Sequence, residues 1–385
     1  MSTYIYNQIT KVQLIVIFLF LGTFNFSSSF AQVASCGFLI NDGCPSTNYN
    51  NSFLKANNDA STIEYDNFVS TYHASAVRTF DGTFQVWGED IGNNGTTDIL
   101  SPITMNATNY PALGTARVFK VTGGSQGSGT GQFVALTTVG LYAWGNQGQV
   151  LDASLTTNST FQRLTIGGNT TGLPAGVAPQ DVKMMVATVN DGDSDGTLLI
   201  VTCSGNVWVI SESAQMRGNG GGGNATTWYQ VTTNQAGSPA LTNVVAARLS
   251  GLGAIALKSD GTLWTWGFNT YLGDNSNRTN RNRATQMVAP PGTIKMIGTT
   301  ASEQDDRISY YVLMTNNNLY SLGGNDERQL GDFSTTERRA WVQPRYSNNA
   351  ADVMNNIKWL SPSENDGRYA AVNVINSDST LYAFG

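Results

Sequence analysis

Three aspartates at alternate positions are the clearest candidates for metal chemistry in this chain. Asp191, Asp193 and Asp195 precede Gly196 in the run Asn-Asp-Gly-Asp-Ser-Asp-Gly. Alternating carboxylates converge on one side of a loop and glycine permits the sharp turn, as in the first half of a calcium loop. Thr202 stands where an EF-hand would have its bidentate Glu, so an EF-hand is excluded. The run predicts a looser Ca²⁺ site or, alternatively, a solvated acidic loop.

Candidates for catalysis are few. His73 is the only histidine, which excludes a metal site built from several histidines. The run Gly-Gly-Ser-Gln-Gly at 123–127 matches the Gly-x-Ser-x-Gly pattern, but a nucleophile elbow needs a strand-to-helix turn with Asp and His partners. Ser125 instead lies in a glycine-rich loop. We therefore expect a protein that is not an enzyme and holds no cofactor other than a calcium ion.

A hairpin unit that recurs six times supplies the elements that would position these residues. Its clearest copy, at 256–267, is an apolar stretch, then Asp-Gly, then Leu-Trp-Thr-Trp ending at Gly. Asp-Gly between β-prone stretches is a strong hairpin signal, because glycine accepts the positive φ of such turns. The copies end near residues 88, 145, 211, 267, 323 and 385. A near-constant long period predicts a propeller, a solenoid or an array.

Each unit contains four short strand-like stretches. The third is apolar on both alternating faces, and a strand buried on both faces belongs between two other layers. Propeller blades meet this demand, because neighbouring blades pack on both of their faces. After residue 31, no stretch shows an apolar period of 3.6 over three turns. The sequence thus predicts an all-β fold with few helices: a β-propeller of four-stranded blades with six visible repeat units.

The unit also resembles a known repeat. Asp-Gly-x-Leu-x-x-Trp-Gly, with Gly-Gly-Asn-Asp-Glu-Arg-Gln-Leu-Gly at 323–331, resembles the repeat of the regulator of chromosome condensation family. The resemblance covers roughly 63–385, is strongest in the fourth and fifth units and is poor in the third, which lacks Trp-Gly. It implies seven four-stranded blades. Because the sixth unit stops at Gly385, before its fourth strand, we expect a truncated last blade; the alternative is a shorter ring closed by an N-terminal strand.

One face of such a propeller would carry the candidate ligand-binding loops. In an antiparallel four-stranded blade, the loop between the first two strands and the loop after the third strand leave by the same face. Besides the Asp run, the acidic candidates there are Glu303, Asp305, Asp306, Glu364 and Asp366. Trp228, Tyr229 and Tyr271 lie outside the repeat positions and are candidates for stacking on a ligand. Rigid scaffolds often carry function on their loops, although acids that only keep the rim soluble are the alternative.

The chain begins with the pattern of a secretory signal peptide over 1–31. Lys11 precedes an apolar stretch at 12–21 that is too short to cross a bilayer, and Ser-Phe-Ala at 29–31 is a plausible cleavage site. An N-terminal membrane anchor is the alternative. We expect an N-terminal cysteine-pair segment and linker at 32–61, and the propeller at 62–385.

The cysteines fit an oxidising compartment. Cys36 and Cys44 flank a turn-rich stretch and are predicted to form a local disulfide, two free thiols being the alternative. Cys203 ends a strand and is predicted to be a buried apolar filler. The glycine-rich stretch at 217–227 is predicted to be a mobile loop.

Composition narrows the class of partner. Charged residues make up only 12% of the chain and the net charge is −6. Because an acidic protein repels phosphate, we expect no nucleic-acid partner. We expect a secreted or cell-surface adhesion module that binds an extracellular protein or glycan and does not span a membrane once its signal is cleaved. The resemblance implies two alternatives. One is a secreted protein inhibitor of an extracellular enzyme, since secreted bacterial propellers with this repeat include β-lactamase inhibitors. The other is a guanine-nucleotide exchange factor, which follows from the family name alone.

Overall fold

The computed structural model describes residues 65, 67–79, 81–190, 196–302, 307–364 and 370–385. The predicted signal peptide and the segment 32–61 fall outside these residues and stay predictions. The described part contains β-strands and three 3₁₀ turns, Pro111–Leu113, Ala153–Leu155 and Pro179–Asp181. No helix in that part is both long enough and apolar enough to pass through a bilayer.

The strands form six antiparallel sheets that follow one another along the chain, with each sheet in chain order. The strands of sheets one to three are β1 (Phe68–Ser70), β2 (Ala74–Arg78), β3 (Phe84–Gly88), β4 (Ile99–Thr104), β5 (Val118–Gly124), β6 (Gln132–Thr137), β7 (Gly140–Gly145), β8 (Gln162–Arg163), β9 (Val182–Thr188), β10 (Thr197–Thr202), β11 (Val207–Ser211) and β12 (Tyr229–Gln230). Those of sheets four to six are β13 (Val244–Ser250), β14 (Gly253–Lys258), β15 (Leu263–Thr270), β16 (Thr279–Gln286), β17 (Ile294–Ser302), β18 (Arg307–Met314), β19 (Leu319–Gly323), β20 (Arg338–Val342), β21 (Ile357–Pro362), β22 (Val372–Asn376) and β23 (Leu381–Phe384).

The protein is an all-β, six-bladed β-propeller, which confirms the predicted fold class. The first strands of consecutive sheets contact one another, from β1 and β5 through to β17 and β21, so they are the innermost strands of the ring. Sheets one to five have four strands each, and the described residues give sheet six three strands, β21 to β23. Both faces of a typical blade are covered: every residue of β6 and β7 is buried.

The glycine near the end of the third strand, present in every unit except the third, is required by a close backbone approach. Gly88 and Gly267 have φ of +114° and +122°, and a Cβ on either would lie 2.2 Å from a carbonyl oxygen, that of His73 or Leu252. Side chains rarely adopt such a φ. The recurrent glycine that revealed the repeat in the sequence therefore marks where the third strand passes the start of the second.

Apolar contacts join the sheets in sequence. One cluster of buried side chains joins sheets one and two, a second joins sheets two and three, a third spans sheets three to five, and a fourth joins sheets five and six. No such cluster joins sheets six and one within the described residues. The ring is thus closed by apolar packing at every junction except that one.

The glycine-rich stretch at 217–227 differs from expectation. Arg217 is buried, and its guanidinium donates to the carbonyl oxygens of Ser211, Glu212 and Gly223. The Gly220 N–H donates to the Asn282 carbonyl at 2.8 Å, which attaches the loop to β16 of the next sheet. The prediction of a mobile loop is wrong, because backbone hydrogen bonds to a neighbouring blade replace the side-chain contacts that glycine lacks.

Candidate binding site

The candidate site lies on the loop face, which we define as the face carrying the loops between first and second strands and between third and fourth strands. Seven acidic residues predicted for this face, Asp191, Asp193, Asp195, Glu303, Asp305, Asp306 and Asp366, lie outside the described residues, so their roles stay predictions. Within the described part, no three His, Cys, Asp or Glu side chains come together as a metal would require. The described site is built instead from residues near the propeller axis.

A cavity of about 460 Å³ separates the first and sixth sheets. From the first sheet it is lined by Tyr65, Phe68 and Tyr72, and from the sixth by Trp359 and Glu364. Phe68 is 46% exposed, while Tyr72 and Trp359 are half-buried. Aromatic surface combined with a few fixed polar groups is the usual lining of a ligand pocket.

A buried ion pair forms one wall of this cavity. Arg248, in the middle of β13, donates from Nε to Glu364 Oε2 at 2.6 Å, and its Nη2 donates to the same oxygen. Both side chains are 7% exposed. The Arg248 guanidinium also lies 5.0 Å from the centre of the Tyr65 ring, within cation–π range. The pair thus places two opposite charges and an aromatic ring beside the cavity in a fixed arrangement.

Hydrogen bonds across the ring hold this arrangement in place. The Tyr65 hydroxyl accepts from the Ile297 N–H of sheet five at 3.1 Å. The Glu364 carbonyl accepts from the Thr188 hydroxyl of sheet three at 3.3 Å. The cavity wall therefore draws on residues of five sheets, and its geometry depends on the whole ring rather than on one flexible loop.

Glu364 was predicted as a loop ligand, and the structure gives its carboxylate a partner that the sequence did not reveal. Arg248 occupies the strand position held in the other five inner strands by Val69, Thr122, Val186, Gly298 and Ser361. A guanidinium at a position otherwise small or apolar was the available signal. Phe68 and Trp359 were also missed, Trp359 because it lies inside a strand-like stretch of the repeat and Phe68 because the sequence analysis did not single it out.

Two of the three aromatic candidates are part of the core. Trp228 is 8% exposed and donates from Nε1 to the Gly172 carbonyl at 2.8 Å. Tyr271 is fully buried, with its hydroxyl donating to Glu337 at 3.0 Å. The prediction that they lie outside the core is wrong, because the loops after third strands fold back onto neighbouring sheets. Tyr229 is half-buried on β12, where its hydroxyl accepts from the Asn224 N–H.

The only histidine is held in a short polar chain. His73 Nδ1 lies 2.8 Å from Glu89 Oε2, and the Ser128 hydroxyl donates to Glu89 Oε1. The hydrogen bond from Ser128, with a smaller contribution from His73, holds the pKa of Glu89 below its usual range. In a nucleophile–base–acid triad the histidine lies between the hydroxyl and the acid, whereas here the carboxylate lies between them. Ser125 donates instead to the Gly127 carbonyl at 2.6 Å.

The two predictions about cysteines have different outcomes. Cys36 and Cys44 lie outside the described residues, so their disulfide stays a prediction. Cys203 is exposed in the turn after β10, where its N–H donates to the Asp181 carbonyl at 2.7 Å. The prediction of a buried apolar filler is wrong for Cys203, because the strand ends at Thr202 and the next residue already faces solvent.

Comparison with known proteins supports the fold. The sequence matches no known family profile and no curated protein. The crystal structure of human WBSCR16 superposes with a TM-score of 0.57 at 15% identity, over 83% of this chain and 76% of that one. Prp20p from Saccharomyces cerevisiae, also solved as yeast RCC1 bound to Kap60, superposes with a TM-score of 0.52 at 13% identity. The alignments cover 82% of this chain in both cases, and 70% and 68% of the yeast chains. At these identities, what the chain shares with them is the β-propeller fold.

Proposed function

We propose that this chain is a non-catalytic recognition module, secreted or held at the cell surface, that binds an extracellular protein or glycan on its loop face. The observation that carries the proposal is the cavity between the first and sixth sheets. It combines partly exposed aromatic rings, Phe68, Tyr72 and Trp359, with the buried Arg248–Glu364 pair. Such a lining offers apolar contact area together with charges whose positions are fixed before a ligand arrives.

The fold supports recognition as the class of function. Prp20p has been studied for binding to Gsp1p and histones, and its structure was also solved bound to Kap60. Those partners belong to that protein. For this chain, the signal-like N terminus and the low charge content favour an extracellular partner, and the single histidine, bound to Glu89, favours binding over catalysis.

The test is a binding measurement with a matched pair of surface variants. Purified protein is probed against a glycan array and a panel of extracellular proteins, and the tightest binder is titrated by calorimetry. Phe68→Ser and Trp359→Ala should each weaken that binding at least about tenfold, because anchoring aromatic rings dominate binding energy. Leu100→Ser, at a residue 96% exposed on β4, is the control. Equal affinities in all variants would show that the ligand does not bind at the cavity. Turnover of a glycan or peptide that is lost in Glu364→Gln would replace binding with catalysis.

The same aromatic surface favours one alternative, a protein inhibitor of an extracellular enzyme. Phe68 is 46% exposed and Tyr72, two residues after β1, is half-buried at the cavity mouth. Protruding aromatic side chains on a rigid face are suited to entering an active-site cleft. Nanomolar inhibition of one secreted hydrolase, abolished by Phe68→Ser, would select this alternative. Absence of inhibition across the panel would eliminate it.

A further inference from the structure

A cation without a partner lies beside the glycine-rich loop at 217–224. Arg283, in the middle of β16, is partly buried, and its Nε is buried without a hydrogen-bond partner. Within the described residues, no oxygen accepts a hydrogen bond from any nitrogen of its guanidinium. Arg281, on the same strand, by contrast donates to the Thr270 carbonyl. Because a buried donor that has lost its water needs another acceptor, the bare guanidinium of Arg283 calls for an explanation.

The loop is shaped to admit this side chain. A Cβ on Gly220 would lie 2.4–2.5 Å from the Nη1, Nη2 and Cζ atoms of Arg283. Because these three distances are nearly equal, the plane of the guanidinium faces the glycine. The backbone holds the loop in this place, since Asn219 forms an antiparallel bridge with Arg283 and the Gly220 N–H donates to the Asn282 carbonyl at 2.8 Å. The position of the guanidinium is thus fixed by backbone pairing and not by an ion pair.

The other end of the loop carries a second unused donor. A Cβ on Gly223 would lie 2.0 Å from the hydroxyl oxygen of Tyr229. That oxygen accepts from the Asn224 N–H at 2.9 Å, but its own proton has no acceptor within the described part of the chain. Three residues separate Gly220 from Gly223, so their Cα atoms are at most about 11 Å apart. The guanidinium and the hydroxyl therefore flank one short stretch of backbone.

The backbone of this stretch has unused donors, while most of its acceptors are already used. Three carbonyl oxygens accept from side chains, that of Gly220 from Asn282, that of Gly222 from Asn219 and that of Gly223 from Arg217. By contrast, the N–H groups of Gly222 and Gly223 have no acceptor among the described residues. Gly222 also faces open space, since nothing lies within 4 Å of where its Cβ would be. Such a surface fits a ligand group that only accepts hydrogen bonds, which is the character of an oxyanion.

We propose that Arg283 and the glycine-rich loop form a binding site for an oxyanion, that is, a carboxylate, sulfate or phosphate group on a small ligand. The planar guanidinium can offer two parallel N–H donors to two oxygens of such a group. The N–H groups of Gly222 and Gly223 and the Tyr229 hydroxyl add uncharged donors. The net charge of −6 favours a ligand with one anionic group over a polyanion, which the rest of the surface repels. The site shares no residue with the cavity between the first and sixth sheets, so either can fail without the other.

The amide chemical shifts of Gly222 and Gly223 test the site directly. The protein is titrated at constant ionic strength with glucuronate, glucose 6-sulfate, inorganic phosphate and uncharged glucose. Saturable shifts at both glycines are expected with at least one of the three anions and not with glucose. The anion that binds most tightly then identifies the oxyanion as carboxylate, sulfate or phosphate. Saturation by none of the anions, or an equal response to glucose, would overturn the proposal.

A matched pair of arginine variants separates this site from the general effect of charge. Arg283→Gln should weaken binding of that anion about 10- to 100-fold, because a charged hydrogen-bond donor is lost. Arg328→Gln removes the same charge from an exposed position after β19 and should leave the affinity unchanged. Arg283→Lys keeps the charge without the two parallel donors and should lie between wild type and Arg283→Gln. Equal affinity in wild type and Arg283→Gln, or an equal loss in Arg328→Gln, would refute the assignment.

Stability measurements distinguish a binding role from a packing role for Arg283. Without anion, Arg283→Gln should unfold at nearly the same denaturant concentration as wild type, because its guanidinium makes no hydrogen bond that the substitution could break. The anion should then stabilise wild type and Arg328→Gln more than Arg283→Gln, since a ligand stabilises only the protein that binds it. A large loss of stability in Arg283→Gln before any anion is added would contradict the proposal and show that Arg283 serves packing.

Discussion

The junction between the fourth and fifth sheets and the junction between the sixth and first sheets use the same repeat in opposite ways. At the former, Thr265 and Tyr310 are fully buried, and their two hydroxyls share a hydrogen bond of 2.6 Å. At the latter, Phe68 and Trp359 border an open cavity and an ion pair crosses the centre. Where two neighbouring blades are in contact, each buries its aromatic rings against the other. Where they are separated by a cavity, the same rings are available to a ligand. Stability and recognition are thus expected to depend on different junctions.

The largest expected effect separates the open junction by stability from another closed one, between the third and fourth sheets, where Trp266 of β15 bonds the Met216 carbonyl. Trp266→Ala should lower the free energy of unfolding by about 3–5 kcal/mol, since it removes a fully buried ring and leaves the Met216 carbonyl without its donor. Trp359→Ala, at the cavity, should cost only about 1 kcal/mol, because its ring is already partly hydrated. Chemical denaturation of both variants measures the difference. Equal losses would mean that the two junctions are packed alike.

The ion pair should give the next largest effect. Glu364→Gln should cost about 2–3 kcal/mol, less than the ~3–5 kcal/mol of a fully enclosed pair, because the cavity admits water beside Arg248. The double variant Arg248→Met/Glu364→Leu should recover most of this loss, since no unpaired charge is left behind. Denaturation of Arg248→Met, Glu364→Leu and the double variant gives the coupling energy. A double variant as unstable as the sum of the two would contradict this account.

A smaller and pH-dependent effect is expected at Asp332, on the closed side of the ring. Burial raises the pKa of Asp332, but hydrogen bonds from Ser334, Arg338 and Asn325 outweigh it and leave the pKa below its usual value. A carboxyl whose folded pKa is depressed adds stability above its unfolded pKa and loses it as the pH falls through the folded value. Asp332→Asn should therefore cost about 1.5–3 kcal/mol at pH 7, and the difference from wild type should shrink below about pH 4. A pH-independent difference would show that the carboxylate charge is not involved.

The smallest effect is expected at His73, which follows the cavity residue Tyr72. Its side chain is 48% exposed, and exposed ion pairs contribute about 0–1 kcal/mol. His73→Gln should therefore change the unfolding free energy by less than about 1 kcal/mol, and should leave ligand affinity unaltered if the proposed function holds. A loss of turnover in this variant would instead show that the polar chain of His73, Glu89 and Ser128 has a catalytic role.

Much of the fold could be predicted from the sequence, because its signals are local. Asp-Gly at 260–261 specifies a hairpin within a few residues, and the glycine at 267 is required by a carbonyl only one strand away. The strands on either side need only their own alternation of apolar residues to be recognised. This hairpin signal recurs six times along the sequence, and the recurrence indicates a propeller.

The site could not be predicted to the same depth, because its contacts are long-range. Arg248 and Glu364 are 116 residues apart, and neither neighbourhood in sequence points to the other. Trp228 and Tyr271 fall in loops by sequence, yet their burial depends on which neighbouring sheet the loop contacts. Trp359 shows the converse, because it lies in a strand-like stretch of the repeat and yet is only half-buried beside an open junction.

The contacts at the centre of the ring also set an order of events during synthesis. Tyr65 and Ile297 are 232 residues apart in the chain, and Thr188 and Glu364 are 176 apart. Because chains emerge from the ribosome N-terminal first and each blade can pair locally, sheets one to four can form while the partners of Tyr65 and Arg248 are still unmade. The centre should thus be the last region to become rigid, so a nascent chain stalled before residue 297 should hold folded blades around an unformed ligand cavity.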